Sequence, residues 1–308
     1  MSSSLSHLHV AVLMGGPGSE RRISLASGEA VVTALEATGA RVTPVDVEGP
    51  DFTIPADADV AFNVIHGTFG EDGTLQEILE GLGVPYTGAG VTSSRLAFDK
   101  VVAKERFVER GVPTPRSELL RAGERPSFPV PLVIKPPREG SSVGIHIVRS
   151  EEETDAAMAD AIKYGAEILV EECIEGKELT VGVLGGEALP VVHIAPQDGW
   201  YDINNKYPWL ESKGKTDYFC PADLSEVHTA AVQSAALAAH ESLGIEIYSR
   251  VDILLDEERG PFVLEANTLP GMTASSLLPK AAEVFGLGFP ELCARIVQLS
   301  LDCPRNDS

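Results

Sequence analysis

The sequence predicts an α/β protein, α+β in parts, with an amino-terminal parallel-sheet domain, a small central α+β domain and a carboxyl-terminal mixed-sheet domain. Three observations predict it. Short apolar runs alternate with helical periodicity through the first 83 residues, the pattern of strands joined by crossover helices. A β-branched run ending in Lys135 leads through a glycine and serine loop into a second apolar run, VGIHIV. Two further apolar runs, starting at Ile247, are joined by the turn-prone DEERG, which reads as an antiparallel hairpin.

In order, LHVAVLM is a strand, ISLASGEAVVTALEATG a helix, ARVTPVDV and VAFNVI strands, and TLQEILEGLG a helix. This βαβ unit ends near Leu96, so the first domain is placed at 1–96. The helix RLAFDKVVAKERFVERG, the Lys135 hairpin, the helix EEETDAAMADAIKYG and the strand EILVEECI form the central unit, 97–182. The helix EVHTAAVQSAALAAHESLG, the second hairpin and the closing helices after Ser276 complete 183–308. A chain of 308 residues exceeds one typical core, consistent with two or three domains.

Composition narrows the function classes. There are 46 acids against 24 bases, a formal net charge of -22, which argues against nucleic acid or an anionic membrane as a partner. Cys173, Cys220, Cys293 and Cys303 show no paired metal spacing and read as reduced structural thiols. No run approaches the length of a membrane span, and the amino end lacks signal-peptide regions. The expectation is a cytosolic enzyme.

The chemistry concentrates in the second hairpin. Asp252 on one strand, with Glu265 and Asn267 on the other, brings two carboxylates and an amide to one end of a sheet. That oxygen set suits a hard divalent cation completed by water and nucleotide phosphates. The bland alternative is a solvated hairpin with two surface acids. Arg250, two residues before Asp252, shares its face, where it can stabilise a transferring phosphoryl or act as a structural ion pair. Lys135 ends an apolar strand, where a cation is costly without an anion beside it. The following loop, 139–144, can offer N–H groups and hydroxyls to phosphate oxygens, or be a plain turn. GGPGSE, between the first strand and helix, lies where open α/β sheets bind ligands. Its glycines lack the full dinucleotide spacing, so an amino-acid head is expected there instead.

The order of these pieces resembles the ATP-grasp superfamily, and more closely the D-alanine:D-alanine ligase family. The resemblance rests on MGGPGSERRISLASG, IHGTFGEDGTLQEILEGLGVPYTGAGVTSSRLAFDK, IKPPREGSSVGI, LVEECIEGKELTV, NNKYPWLESKGKTDYFCPA and SRVDILLDEERGPFVLEANTLPGMTASSLLP. It covers nearly the whole chain, with an insert after Tyr207, PWLESKGKT, longer than in the shortest relatives. It implies a three-domain ATP-grasp architecture and ATP-dependent ligation of two D-alanines for peptidoglycan synthesis. ATP with Mg2+ would be used, Mn2+ being able to substitute, and the chain would work as a homodimer.

Residue by residue, the resemblance implies that Lys100 and Lys135 hold nucleotide phosphates, although Lys100 alone reads as an exposed helix lysine. Glu171 and Glu178 would face adenine and ribose, with Glu172, Cys173 and Ile174 as the strand edge beside the base. Asp252, Glu265 and Asn267 would hold the metal. Glu20 would anchor a substrate ammonium, or serve the helix dipole, or both. Ser141 and Tyr207 would form a hydroxyl pair closing the site, with Lys206 reaching phosphate. The N–H of Gly271 and the hydroxyl of Ser276 would contact the tetrahedral oxygen and the second carboxylate. His66 would orient the first substrate or simply hold its loop. The alternatives are a sister ligase using D-lactate or another acceptor, and an idle nucleotide-binding module.

Overall fold

A computed structural model describes residues 4–140, 143–197, 216–303 and 305. Ser141, Lys206 and Tyr207 lie outside the described residues, as does most of the insert after Tyr207. Three sheets organise the described residues.

The first sheet is parallel, with strand β1 (His9–Gly15) between β2 (Arg41–Val47) and β3 (Val60–Asn63). Helix α1 (Arg21–Ala37) crosses between the first two strands. It buries Val31, Ala34 and Leu35 against Val10, Val12 and Phe62. Apolar residues at helical spacing therefore face a central strand that is apolar on both sides, as a covered parallel sheet requires. Helix α2 (Thr74–Leu82) closes this unit, burying Leu75 and Leu79 with Ile65 and Phe69.

The run from Arg95 to Gly111, expected as one helix, is two: α3 (Val91–Phe98) and α4 (Lys100–Glu109). Asp99 breaks it. Its backbone is extended, and its carboxylate accepts from the N–H groups of Val101 and Val102, the second at 3.4 Å. A capping acid inside a helical pattern thus starts a new helix, and Lys100 becomes its first residue.

The central sheet is antiparallel in the order β4 (Ser117–Arg121), β7 (Glu167–Glu172), β5 (Leu132–Lys135), β6 (His146–Val148). It is backed by helix α5 (Glu151–Ala161), which ends in a 3-10 turn at Ile162–Tyr164. The third sheet runs β11 (Thr216–Phe219), β10 (Val192–Pro196), β8 (Lys177–Leu184), β12 (Tyr248–Asp256), β13 (Gly260–Asn267), with the short β9 (Glu187–Ala188) beside β8. Strand β8 pairs with β12 from Lys177 to Leu184, so the boundary expected at 182 falls inside a strand belonging wholly to the third sheet. Helix α6 (Glu226–Ser242) packs on one face through Val232, Ala235, Ala236 and Ala239. Helices α7 (Leu277–Phe285) and α8 (Phe289–Asp302) join the core of the first sheet through Leu278, Ala281, Leu292 and Ile296. Among the described residues no single helix is long and apolar enough to cross a membrane, and all four cysteines are free thiols.

Candidate active site

The hairpin of β12 and β13 builds the site as its alternation predicts. Arg250 pairs with Asn267 and Asp252 with Glu265 in antiparallel register, and a bulge follows Asp252. All four residues therefore share one face. The Asp252 carboxylate accepts from Arg250 Nε at 2.9 Å and Nη2 at 2.8 Å. It also accepts from Thr180 Oγ1 at 2.6 Å and Asn267 Nδ2 at 3.1 Å. Asp252 is buried, and a buried carboxylate needs such donors to remain charged.

Lys100 stands across from this face. Its Nζ is 3.2 Å from Glu265 Oε2 and donates to the carbonyl of Glu139 at 2.7 Å. One ammonium thus joins the β12–β13 hairpin to the loop after Lys135. Two carboxylates and an amide oxygen on one face fit a hard divalent cation, and Glu265 already receives a cationic partner there. Among the described residues no three or more His, Cys, Asp or Glu side chains gather to hold a metal. Asp252, Glu265 and Asn267 would hold such an ion only with water or phosphate oxygens completing its shell.

The anion that buried Lys135 requires is Glu171. Lys135 Nζ is 2.9 Å from Glu171 Oε2, and Lys104 Nζ is 3.0 Å from Oε1. Burial works to raise the Glu171 pKa, but Lys135 and then Lys104 outweigh it and hold the carboxyl below the usual carboxylate range. Glu171 and Glu178 both line the larger cavity, yet the Glu171 oxygens expected at a base are met by two lysines. Ile174 lines the same cavity. Glu172 turns away, its carboxylate accepting from Arg116 and Arg259. Cys173 is partly buried, and burial raises its thiol pKa.

Two cavities meet here. The larger, about 460 Å³, lies between the central and third sheets and is lined by Lys135, Glu171, Glu178 and Asp252. The smaller, about 150 Å³, is lined by Glu20, His66, Arg250, Asn267, Gly271 and Ser276. Lys100, Glu139, Gly140 and Glu265 line both. An elongated anionic ligand in the first would thus end beside a small ligand in the second.

The smaller cavity joins the first sheet to the third. Glu20 is the N-cap residue of α1, without a side-chain capping bond. Its carboxylate instead lies over Gly67 and Gly140, where an added Cβ would come within 2.6 and 3.3 Å of Oε2. His66 Nδ1 is 3.0 Å from the carbonyl of Leu269, and Nε2 is 3.3 Å from Ser27 Oγ. A carbonyl can only accept, so Nδ1 carries the proton. Burial opposes a second proton, but Glu71, Glu20 and that carbonyl raise the pKa above the ordinary histidine value. Ser276 starts α7, and its Oγ accepts the Thr273 N–H at 3.1 Å and bonds Thr273 Oγ1 at 2.8 Å.

Thus the described candidates Glu20, His66, Lys100, Lys135, Glu171, Ile174, Glu178, Arg250, Asp252, Glu265, Asn267, Gly271 and Ser276 converge on these two cavities. Sequence reasoning missed Lys104 and Thr180. Thr180 was legible as the polar residue of an apolar strand, whereas Lys104 looks like any helix lysine.

Comparison with known proteins shows the family. The family model described as D-ala D-ala ligase C-terminus matches residues 102–298, and that described as D-ala D-ala ligase N-terminus matches 48–89. The D-alanine--D-alanine ligase of Methylacidiphilum infernorum is 47% identical over 292 residues, 95% of each chain. A crystal structure of the Bacillus anthracis D-alanine--D-alanine ligase complexed with ATP superposes with a TM-score of 0.82 at 30% identity, covering 96% of this chain and 98% of that one. The VanG D-Ala:D-Ser ligase of Enterococcus faecalis gives 0.83 at 28% identity, covering 95% and 99%. With its paired cavities, its hairpin acids and matches along almost its entire length, the chain belongs to the D-alanine–D-alanine ligase family.

Proposed function

We propose that the protein joins two D-alanines into D-alanyl-D-alanine at the expense of ATP, supplying peptidoglycan synthesis. The observation that carries this reading is the shared wall of Lys100, Glu139, Gly140 and Glu265 between a large and a small cavity. ATP occupies the larger, its phosphates towards Lys135 and Lys100, and D-alanine the smaller, with Glu20 receiving an ammonium. The carboxylate of the first D-alanine attacks the γ-phosphorus, giving an acyl phosphate and ADP. Phosphoryl transfer depends mainly on positioning and charge neutralisation, which Arg250, Lys100 and Lys135 provide. The amine of the second D-alanine, having lost a proton, attacks the acyl carbon. The Gly271 N–H and Arg250 face the oxyanion, Ser276 the second carboxylate, and phosphate leaves as the amide forms.

Asp252, Glu265 and Asn267 hold the divalent cation, which we take to be Mg2+ with Mn2+ able to replace it. Bound there, it supplies Lewis-acid neutralisation of phosphate charge. For Ser141, Tyr207 and Lys206, outside the described residues, the family resemblance supports a role in shielding the acyl phosphate, which water would otherwise hydrolyse. We place the enzyme in the cytoplasm as a homodimer, with one domain per sheet and the second boundary ahead of Lys177. The test is a product assay with ATP and an equimolar mixture of D-alanine, D-serine and D-lactate. D-Alanyl-D-alanine as the dominant product, with one phosphate released per dipeptide, is the expected result. A dominant ester or mixed dipeptide would assign a sister activity, and no D-alanine-dependent phosphate release would leave only a nucleotide binder.

A further inference from the structure

Lys104 has no part in the chemistry above, yet it is only 3% exposed. It lies one helical turn after Lys100 on α4, on the buried face with Ala103 and Phe107. Its ammonium is 3.0 Å from Glu171 Oε1 and donates to Thr114 Oγ1 at 2.7 Å. Thr114 in turn donates to the carbonyl of Val263 at 2.8 Å, on the strand that carries Glu265. Lys104 is not among the residues lining the nucleotide cavity, whereas Glu171 and Lys135 are. Its contact with the cavity wall is Glu171, the carboxylate it shares with Lys135.

The charge count gives that contact a direction. Two ammonium groups share one carboxylate, leaving one net positive charge on the Lys104–Glu171–Lys135 cluster. Without Lys104, Glu171 and Lys135 would form a neutral pair, and the attraction of Lys135 for phosphate would be largely cancelled. Such cancellation matters most where water is excluded. Burial draws the Lys104 pKa down while Glu171 pulls it back, and the Thr114 contact fixes the ammonium where Glu171 meets it.

We propose that Lys104 is a positioning residue for the nucleotide: it takes up the charge of Glu171 and thereby leaves the charge of Lys135 to the phosphates. The inference rests on the ATP-dependent reading of this cavity. It predicts that removing both members of the Lys104–Glu171 pair harms nucleotide binding less than removing Lys104 alone.

The experiment uses the full chain as wild type, K104M, E171Q and K104M/E171Q. Binding of ADP with magnesium is measured by calorimetry, and KM for ATP and for D-alanine by phosphate release. K104M should weaken ADP more than fivefold, raise KM for ATP in parallel and move KM for D-alanine less than twofold. The double mutant should regain more than half of the lost affinity on a logarithmic scale, because the charge of Lys135 is again uncompensated. A double mutant no tighter than K104M, or a smaller effect in K104M, overturns the proposal, and so does a parallel rise in KM for D-alanine, which a merely structural ion pair would give, since contacting residues couple whatever their role. Should K104M not fold, the double mutant decides against wild type. ADP affinity within fivefold supports the proposal, and a larger loss or a second failure to fold overturns it. ADP binding does not depend on the acceptor. Wild type that binds ADP but releases no phosphate with D-alanine would therefore sink the ligase reading alone.

Discussion

Arg250 and Asp252 stand two residues apart on one face of β12, and the guanidinium fork donates to both carboxylate oxygens at 2.9 and 2.8 Å. With Thr180 and Asn267 as further donors, both oxygens of Asp252 are oriented by protein groups. Preorganised charge of this kind stabilises a transition state without reorganising during the reaction.

Arg250→Lys keeps the charge but loses the fork, and a lysine cannot grip both oxygens. We expect kcat to fall by about 10²-fold, the scale of losing one electrostatic stabiliser. KM for ATP should change far less, since Arg250 lines the smaller cavity. Steady-state kinetics with each substrate varied in turn separates the two. A kcat within threefold of wild type would return Arg250 to the role of a structural ion pair.

Glu265→Gln removes one ligand charge at nearly constant volume, and also the carboxylate that Lys100 meets at 3.2 Å. Turnover should drop by roughly 10²-fold or more, with the far-ultraviolet spectrum and melting temperature close to wild type. Near wild-type turnover at limiting magnesium would exclude Glu265 as a ligand.

His240 ties α6 to β12, its Nδ1 lying 2.8 Å from Ser249 Oγ. Burial lowers its pKa from 6.5 to about 4. As pH falls, the unfolded chain therefore takes up this proton before the folded one does. The contribution is fully present above about pH 6.5 and lost progressively towards pH 4, at most about 3 kcal/mol. Urea midpoints of wild type and His240→Leu at pH 7.5 and 4.5 test this. The variant should start less stable and lose less on acidification, and an equal loss would remove His240 as a source of acid sensitivity.

Gly70 allows the loop carrying His66 and Gly67 to close. Its carbonyl accepts from Asn63 Nδ2 at 3.1 Å and Gln76 Nε2 at 2.7 Å, and an added Cβ would overlap the carbonyl of Ile65. Gly70→Ala should cost about 1–3 kcal/mol of stability, the range for forcing atoms into a filled site. KM for D-alanine should rise more than KM for ATP. A melting temperature equal to wild type would show that this loop yields without strain.

The sequence made the hairpin legible because strand alternation has a strict period of two, so Arg250, Asp252, Glu265 and Asn267 fall on one face once the turn is located. Lys135 announced an unseen anion through the cost of burying it. Which anion answered was beyond the pattern, because it depends on β5 pairing with β7 at Val133 and Glu171. Lys104 was hidden for a related reason. At four residues from Lys100 it looks like another solvated helix lysine, and only the packing of α4 into the core shared by the third sheet and α6 shows it enclosed. The break at Asp99 carried a local signal, a good N-cap residue, that helical periodicity on both sides masked.

The smaller cavity is closed by contacts between distant parts of the chain, from His66 to the carbonyl of Leu269, 203 residues later, and from the Met272 N–H to Ser27, 245 residues earlier. Joining such remote segments costs the most loop-closure entropy and is slow. The central sheet, by contrast, needs only residues 117–172. During refolding, burial of the central strands should therefore precede the appearance of a D-alanine site. A ribosome releasing this chain would deliver the central strands well before Gly271 to Leu277 arrive to complete the wall of the smaller cavity.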